Sequence, residues 1–342
     1  MEDESCRIAG LRSSRQGWHL RTGAVALALV LFAAPSPAGA QQPGPTHRIG
    51  WLRLGLHSDA AALAPEFFQE LRSLGYVEGR NLFLEIRATP DRAKLPGLAR
   101  ELVDSRLDLI VGAGTPEALA LKSATRTIPI VFLVSSDPVG SGLVQSLARP
   151  GGNITGPSLM SPDFAPRRLG LFKDALPRLK QLAILHGDGP TVDKQVRELE
   201  AAARTAQVHA TAFLARGPED FDDVYKAMAR KRVEGVLVVN SPVFVAARER
   251  LAVVSLRARV PTMFEEWRHV EAGGLMAYGP SYPERFRRAA RYVDQILRGS
   301  KPAELPIEQP IRLELIINLR TAKALELTIP VSVLQQADRL IE

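Results

Sequence analysis

The sequence predicts an α/β protein of two Rossmann-like lobes, each with a parallel sheet, joined by a multi-strand hinge. Three observations carry that expectation. Within Leu107 to Leu147 two short apolar runs, Asp108–Gly112 and Ile128–Val134, flank a single helical stretch. Runs this brief and this rich in β-branched residues read as fully buried parallel strands. The same grammar returns about 120 to 130 residues later. VEGVLVVN at Val233–Asn240 corresponds to LDLIVGAG, Ser241 and Pro242 to Thr115 and Pro116, and VPTMF at Val260–Phe264 to IPIVF. Finally, a further section begins at Gly273, after both units are complete, so the chain returns to the first lobe and crosses again. Two like units facing each other leave a cleft between them.

The chain opens on an export signal. Arg7, Arg12, Arg15 and Arg21 precede the uncharged run Gly23–Ala34, which suits a signal peptide and falls short of the ~20 residues a membrane helix needs. Ala38 and Ala40 form a small-x-small cleavage site, so the mature chain is expected to start at Gln41 in the periplasm or outside the cell. The single cysteine, Cys6, lies in the leader ahead of the apolar run. It can therefore neither anchor a lipid nor leave a disulfide or thiol nucleophile in the mature chain.

The first lobe starts with a strand at His47–Leu54, followed by a helix at Pro65–Leu74 with Phe67, Leu71 and Leu74 on one face. Gly75 can end that helix in the left-handed conformation. Leu82–Arg87 reads as a strand and Leu95–Ser105 as a helix. In the central stretch Thr115 is expected to cap its helix through the hydroxyl, with Pro116 in the first turn and Glu117 complementing the positive end. The turn Pro150–Asn153 leads through Ile154–Leu159 to the second unit. There the expected elements are helix Phe164–Leu176, strand Leu182–His186, helix Val192–Thr205, strand Thr211–Ala215, helix Pro218–Lys231 and helix Ala246–Arg257. The late section adds a strand at Gly273–Tyr278, a long helix Tyr282–Arg298 closed by Gly299, and a strand at Ile311–Ile317. Expected boundaries are 1–40 for the leader, 47–155 with 278–308 for one lobe, and 156–277 with 309–342 for the other.

Composition and motifs exclude several functions. The net charge of +7 is modest, and the basic residues sit on helix faces without interleaved aromatics, so nucleic acid is not an expected partner. GAGTPE follows the third strand and lacks the third glycine of a dinucleotide fingerprint. No GxSxG elbow occurs. His47, His57, His186, His209 and His269 show no metal-ligand spacing, and no cofactor is expected. Asn153 and Thr155 form a sequon that is read as chance.

In open α/β sheets ligands sit beyond the carboxyl ends of strands, against helix N-termini. By that rule the first lobe offers His57, Ser58, Gly114, Thr115, Ser135, Ser136 and Asp137, and the second offers His186, Asp188, Asn240, Ser241, Glu265 and Glu266. Thr115 and the backbone N–H groups after it suit a carboxylate; Asp137 or Glu265 suits an ammonium. Asp137 before Pro138 equally fits a cap. Trp51 and Trp267 either wall an aromatic ligand or pack in the core. A small amino-acid-like solute is the expected ligand.

Two stretches carry a family resemblance: DPVGSGLVQSLARPGGNITG at Asp137–Gly156 and EAGGLMAYGPSYPERFRRAARYVDQILRGSKPAELPIEQPIRLELIINLRTAKALELTIP at Glu271–Pro330. They resemble the bacterial ABC-transporter substrate-binding family often labelled tryptophan/tyrosine-type, over nearly all of the mature chain. The chain departs from that family after strand one, where Arg53–Ser58 replaces a Ser/Gly-rich loop. The resemblance implies a type I periplasmic-binding-protein fold with three crossing segments, a small ligand between the lobes, and a membrane permease and ATPase as partners. A monomer without enzymatic activity is expected. A ligand-sensing protein that partners a membrane sensor, and an exported hydrolase, are the competing classes.

Overall fold

The computed structural model describes residues 46–55, 64–189 and 192–342. The expected leader and its cleavage site lie outside them, as do His57 and Ser58. Strands β1 (His47–Leu54), β2 (Leu82–Thr89), β3 (Leu109–Gly112), β4 (Ile130–Phe132) and β5 (Ile154–Thr155) form one sheet, in the order β2-β1-β3-β4-β5. Strands β6 (Gln181–His186), β7 (His209–Leu214), β8 (Gly235–Val238), β9 (Thr262–Phe264), β10 (Met276–Pro280), β11 (Leu313–Asn318) and β12 (Arg339–Ile341) form the other, ordered β12-β11-β10-β9-β8-β6-β7. Read from its β7 edge, the second sheet repeats the order of the first, so the internal repeat read from sequence is a repeat of topology. The helices are α1 (Pro65–Ser73), α2 (Leu95–Asp104), α3 (Thr115–Ala124), α4 (Ala165–Ala175), α5 (Val192–Thr205), α6 (Phe221–Arg230), α7 (Pro242–Ala246), α8 (Arg248–Arg257), α9 (Arg268–Glu271), α10 (Tyr282–Leu297), α11 (Leu319–Ala324) and α12 (Val331–Leu334).

Alternation along buried strands builds each lobe as three layers. Ile49, Trp51, Val111 and Val131 enter one core with Phe67, Phe68 and Leu71 of α1. Their neighbours Leu52, Ile110 and Ile130 enter another on the opposite face with Leu95, Ala99, Leu102 and Leu121 of α2 and α3. The second sheet does the same, with Leu182, Ile184 and Leu237 against Leu169, Phe172 and Leu199. Ala183, Leu185 and Val236 on its other face meet Phe221, Met228 and Leu251. Helix α10 follows a strand of the second sheet yet buries Tyr282, Phe286, Ala289 and Val293 in the core of the first, so the chain does return.

That return sets the direction of the next strand. β10 leaves the second sheet through the crossing and β11 re-enters through it, so the two pair antiparallel, Met276 opposite Ile317, in an otherwise parallel sheet. The three crossings lie side by side. The Ser158 N–H donates to the Glu308 carbonyl at 2.9 Å and the Ser281 N–H to the Arg312 carbonyl at 3.4 Å. The Thr155 hydroxyl donates to the Leu305 carbonyl at 2.8 Å. Gly156 opens the first crossing with φ at +153°, and a Cβ there would come within 2.3 Å of the Phe132 carbonyl oxygen, so only glycine fits.

Two local expectations change. The helix expected over Ala246–Arg257 is broken at Ala247, which takes φ −105° and ψ 23° and separates α7 from α8. Thr115 is the first residue of α3 rather than its cap; Gly114 holds the cap position, and no side chain caps this helix. Gly75 does end α1 with φ at +96°.

Candidate ligand-binding cleft

In each sheet the chain winds away in both directions from the strand pair β1/β3 or β6/β8, and a crevice opens beyond the carboxyl ends at that reversal. The two crevices face each other. Trp51, Arg53 and Leu54 from the end of β1 and Ala113–Glu117 after β3 form one wall; Asp188 and Gly189 after β6 and Asn240, Ser241 and Pro242 after β8 form the other. Arg248, Glu266, Arg268, Tyr282 and Phe286 complete a cleft of about 1120 Å³, part of it open to solvent.

Of the residues anticipated from sequence, Gly114, Thr115, Ser136, Asp188, Asn240, Ser241 and Glu266 line this cleft. Ser135 does not; it is buried, its hydroxyl lies 3.1 Å from the Thr115 hydroxyl, and its carbonyl accepts from the Leu159 N–H at 2.8 Å. It fixes the end of β4 to the first crossing. Asp137 accepts from the Gly140 N–H at 2.8 Å through one oxygen and from Lys194 at 2.7 Å through the other. Glu265 is buried in an ion pair with Arg168 at 2.9 Å and accepts the Ser161 hydroxyl at 2.5 Å. The two carboxylates assigned to an ammonium are thus engaged elsewhere: Asp137 in a turn and a contact between lobes, Glu265 in bracing β9 against α4. His186 stays outside the wall, with Nδ1 3.1 Å from the Gly187 carbonyl oxygen. Trp51 packs in the core, its indole stacked on Phe68 at 5.4 Å, and also lines the cleft. Trp267 lies outside the wall, with the Arg339 guanidinium 5.2 Å above its ring.

The charged groups that do line the cleft are mostly ones the sequence reading passed over. Glu117 is 1% exposed, although it reads in sequence as an ordinary first-turn acid. One oxygen accepts the Leu54 N–H at 2.7 Å; the other has no hydrogen-bond partner. Burial pushes this carboxyl above its ordinary value, against the opposing pull of the Leu54 and Glu117 N–H groups and of Arg53 and Arg92. Arg53 is held below its usual guanidinium value by burial, partly offset by Glu117, with Arg268 acting in the same direction as burial. A lone arginine in the otherwise apolar ending of β1 was the available signal, because a charge is seldom buried without a task. Arg268 pairs with Glu266 and lies 5.9 Å from the Tyr282 ring centre. Burial alone would lower the Arg268 value, but Glu266, with Tyr282 and Glu66, acts against it and the net shift is upward.

Four cleft-lining residues carry a buried polar atom without a hydrogen-bond partner: the donor Trp51 Nε1 and the acceptors Glu117 Oε2, Asn240 Oδ1 and Glu266 Oε2. Such atoms are rare inside proteins because each forfeits its hydration. Together they describe a surface made to meet polar groups of something bound. Formal charge balances among the described lining side chains, with Arg53, Arg248 and Arg268 facing Glu117, Asp188 and Glu266.

Two like α/β lobes, hinged by adjacent crossings and closing on a cleft, define a solute receptor of the type I periplasmic-binding-protein fold. The chain belongs to the ABC transporter substrate binding protein family, whose model matches residues 58–341. It is 27% identical over 284 residues to the tyrosine-binding protein of Clostridioides difficile strain R20291, covering 82% of this chain and 81% of that one. Its fold superposes with a TM-score of 0.80 on a conserved domain protein from Vibrio cholerae at 30% identity, covering 86% of this chain and 99% of the other. It superposes equally well, with a TM-score of 0.80 at 26% identity, on an ABC domain from Streptococcus pneumonia in complex with L-Trp, covering 86% and 100%. Among the described residues no helix is long and apolar enough to cross a membrane.

Proposed function

We propose that this chain is the solute-capturing subunit of an ABC importer, exported to the periplasm, and that its ligand is a zwitterion of the amino-acid class with an aromatic side chain. The observation that carries the reading is the lining of the cleft. Both signs of charge are present in equal formal number over a wall that includes Trp51, Leu133, Val192 and Phe286. A net-neutral solute with an ammonium, a carboxylate and an apolar body leaves no charge uncompensated there, whereas a dicarboxylate or a diamine would. The binding of tyrosine by one relative and the presence of L-Trp in a similar structure support the same class.

Capture needs no bond chemistry. A solute touching both walls favours the closed arrangement of the lobes by its differential affinity for it, and a permease and its ATPase would then read the closed form. The test is a thermal-shift panel of amino acids, with sugars and dicarboxylates as controls. A ligand at ~100 times its dissociation constant stabilises by about 2.7 kcal/mol. For a chain of this size that is a shift of roughly 5–10 °C. At least one aromatic amino acid should produce it; hits confined to sugars or dicarboxylates would overturn the assignment.

A further inference from the structure

The unsatisfied atoms of the cleft have a common chemistry. Three of the four are acceptors, so what they lack is a supply of N–H or O–H protons, and an ammonium supplies three while accepting none. Glu117 stands apart from the other two acceptors. Glu266 already pairs with Arg268, and Asn240 already donates to the Tyr282 hydroxyl at 2.6 Å. Glu117 is braced from behind, where the Leu54 N–H fixes Oε1 at 2.7 Å. Its Oε2 lies over the open face of Gly114, where a Cβ would come within 3.2 Å of it and within 3.8 Å of Pro242 Cγ in the opposite wall. That oxygen therefore sits at the seam where the start of α3 meets the start of α7. The absence of a side chain at Gly114 keeps this seam open.

We propose that Glu117 is the specificity-determining residue of the cleft, receiving the ligand's ammonium on Oε2 at the seam between the lobes. This rests on the amino-acid reading above and goes further, because it assigns the amine to one residue. An amine at this seam would touch the first lobe while closing the second over it, so recognition of the amine and closure become one event.

The test is calorimetry on wild-type protein, Glu117→Gln and Glu117→Asp, using L-tyrosine, L-tryptophan and their des-amino acids, 3-(4-hydroxyphenyl)propionate and indole-3-propionate. Glutamine keeps the shape and removes the charge. The melting temperature of each ligand-free variant establishes that it folds, and the aspartate variant serves if the glutamine variant does not. Wild type should prefer an amino acid over its des-amino form by on the order of 100-fold, the scale of a lost charged hydrogen bond. Glu117→Gln should weaken the amino acid roughly 10- to 100-fold and leave the des-amino acid within about twofold, erasing the preference, with Glu117→Asp intermediate. Undiminished preference in Glu117→Gln, or equal loss of both ligand types, overturns the assignment to Glu117 and leaves the amino-acid reading standing. Wild-type protein that binds des-amino acids as tightly as amino acids overturns both the assignment to Glu117 and the zwitterion reading. Wild-type protein that binds neither class overturns both readings.

Discussion

Lys194 at the start of α5 in the second lobe donates a 2.7 Å hydrogen bond to Asp137 beyond β4 in the first. Their close chain neighbours Val192 and Ser136 line the cleft. A second contact between the lobes runs beside it, from the Arg92 guanidinium to the Asp188 carbonyl at 3.0 Å. The hydrogen bond to Asp137 raises the Lys194 value. Its contribution is therefore present throughout neutral pH and is lost only as pH rises past the ordinary lysine range.

Lys194→Met should loosen closure while leaving the turn bond from Asp137 to Gly140 in place. The pair is half exposed on the lysine side, so its worth is at most ~1 kcal/mol, or about a fivefold loss of affinity, and less at high salt. Scattering from the ligand-free variant should show a larger radius of gyration than wild type. An unchanged radius together with unchanged affinity would mean the bond follows closure rather than favouring it.

Arg168 and Glu265 are both buried to within 2% of full enclosure. Arg168→Met leaves Glu265 without its cation, at a cost of about 3–5 kcal/mol. A melting temperature lower by roughly 6–20 °C is expected. The double replacement Arg168→Met with Glu265→Leu should recover most of that loss; a double variant as weak as the single one would show that packing around Arg168, not its charge, is what matters.

Glu117 gives a signature in the ligand-free protein. Its value in the folded chain is raised above the ordinary 4.5. The protonated form therefore favours folding, an effect fully present below the ordinary value and lost as pH rises through the raised one. Glu117→Gln should accordingly melt higher than wild type near pH 8, and the two curves should converge towards pH 4. Parallel curves across the range would mean that Glu117 is not ionised against the cost of burial.

His269 acts with the opposite sign. Its ring stacks on Phe264 at 4.5 Å, and burial, with Arg268 and Arg248 nearby, lowers its value from 6.5 to about 4 despite hydrogen bonds that oppose the shift. Stability from keeping it neutral is complete above pH 6.5 and is lost as pH falls towards 4, on the order of 3 kcal/mol in all. His269→Phe keeps the stacked ring and removes the titration, so its unfolding free energy should fall less between pH 7 and pH 4 than that of wild type. An equal fall in unfolding free energy for the two proteins, from urea titrations at both pH values, would assign the acid sensitivity to other groups.

The sequence by itself determined the lobes, because apolar runs too brief for a helix, rich in β-branched residues and bounded by turns, fit buried strands, and their recurrence betrays a duplicated unit. It also located strand ends, and hence Gly114, Thr115, Asn240 and Ser241 in the cleft wall, since the last apolar residue of a buried strand marks where the sheet stops. What only the tertiary structure decided is which charges face the ligand. Glu265 and Glu266 are adjacent in the chain, yet the bend after β9 turns one towards Arg168 of α4 and the other into the cleft with Arg268. Glu117 looks like a surface acid at a helix start, and it is buried because the end of β1 lies against that turn and offers the Leu54 N–H. Burial of a charge depends on what a distant segment brings to it, and neither periodicity nor spacing records that.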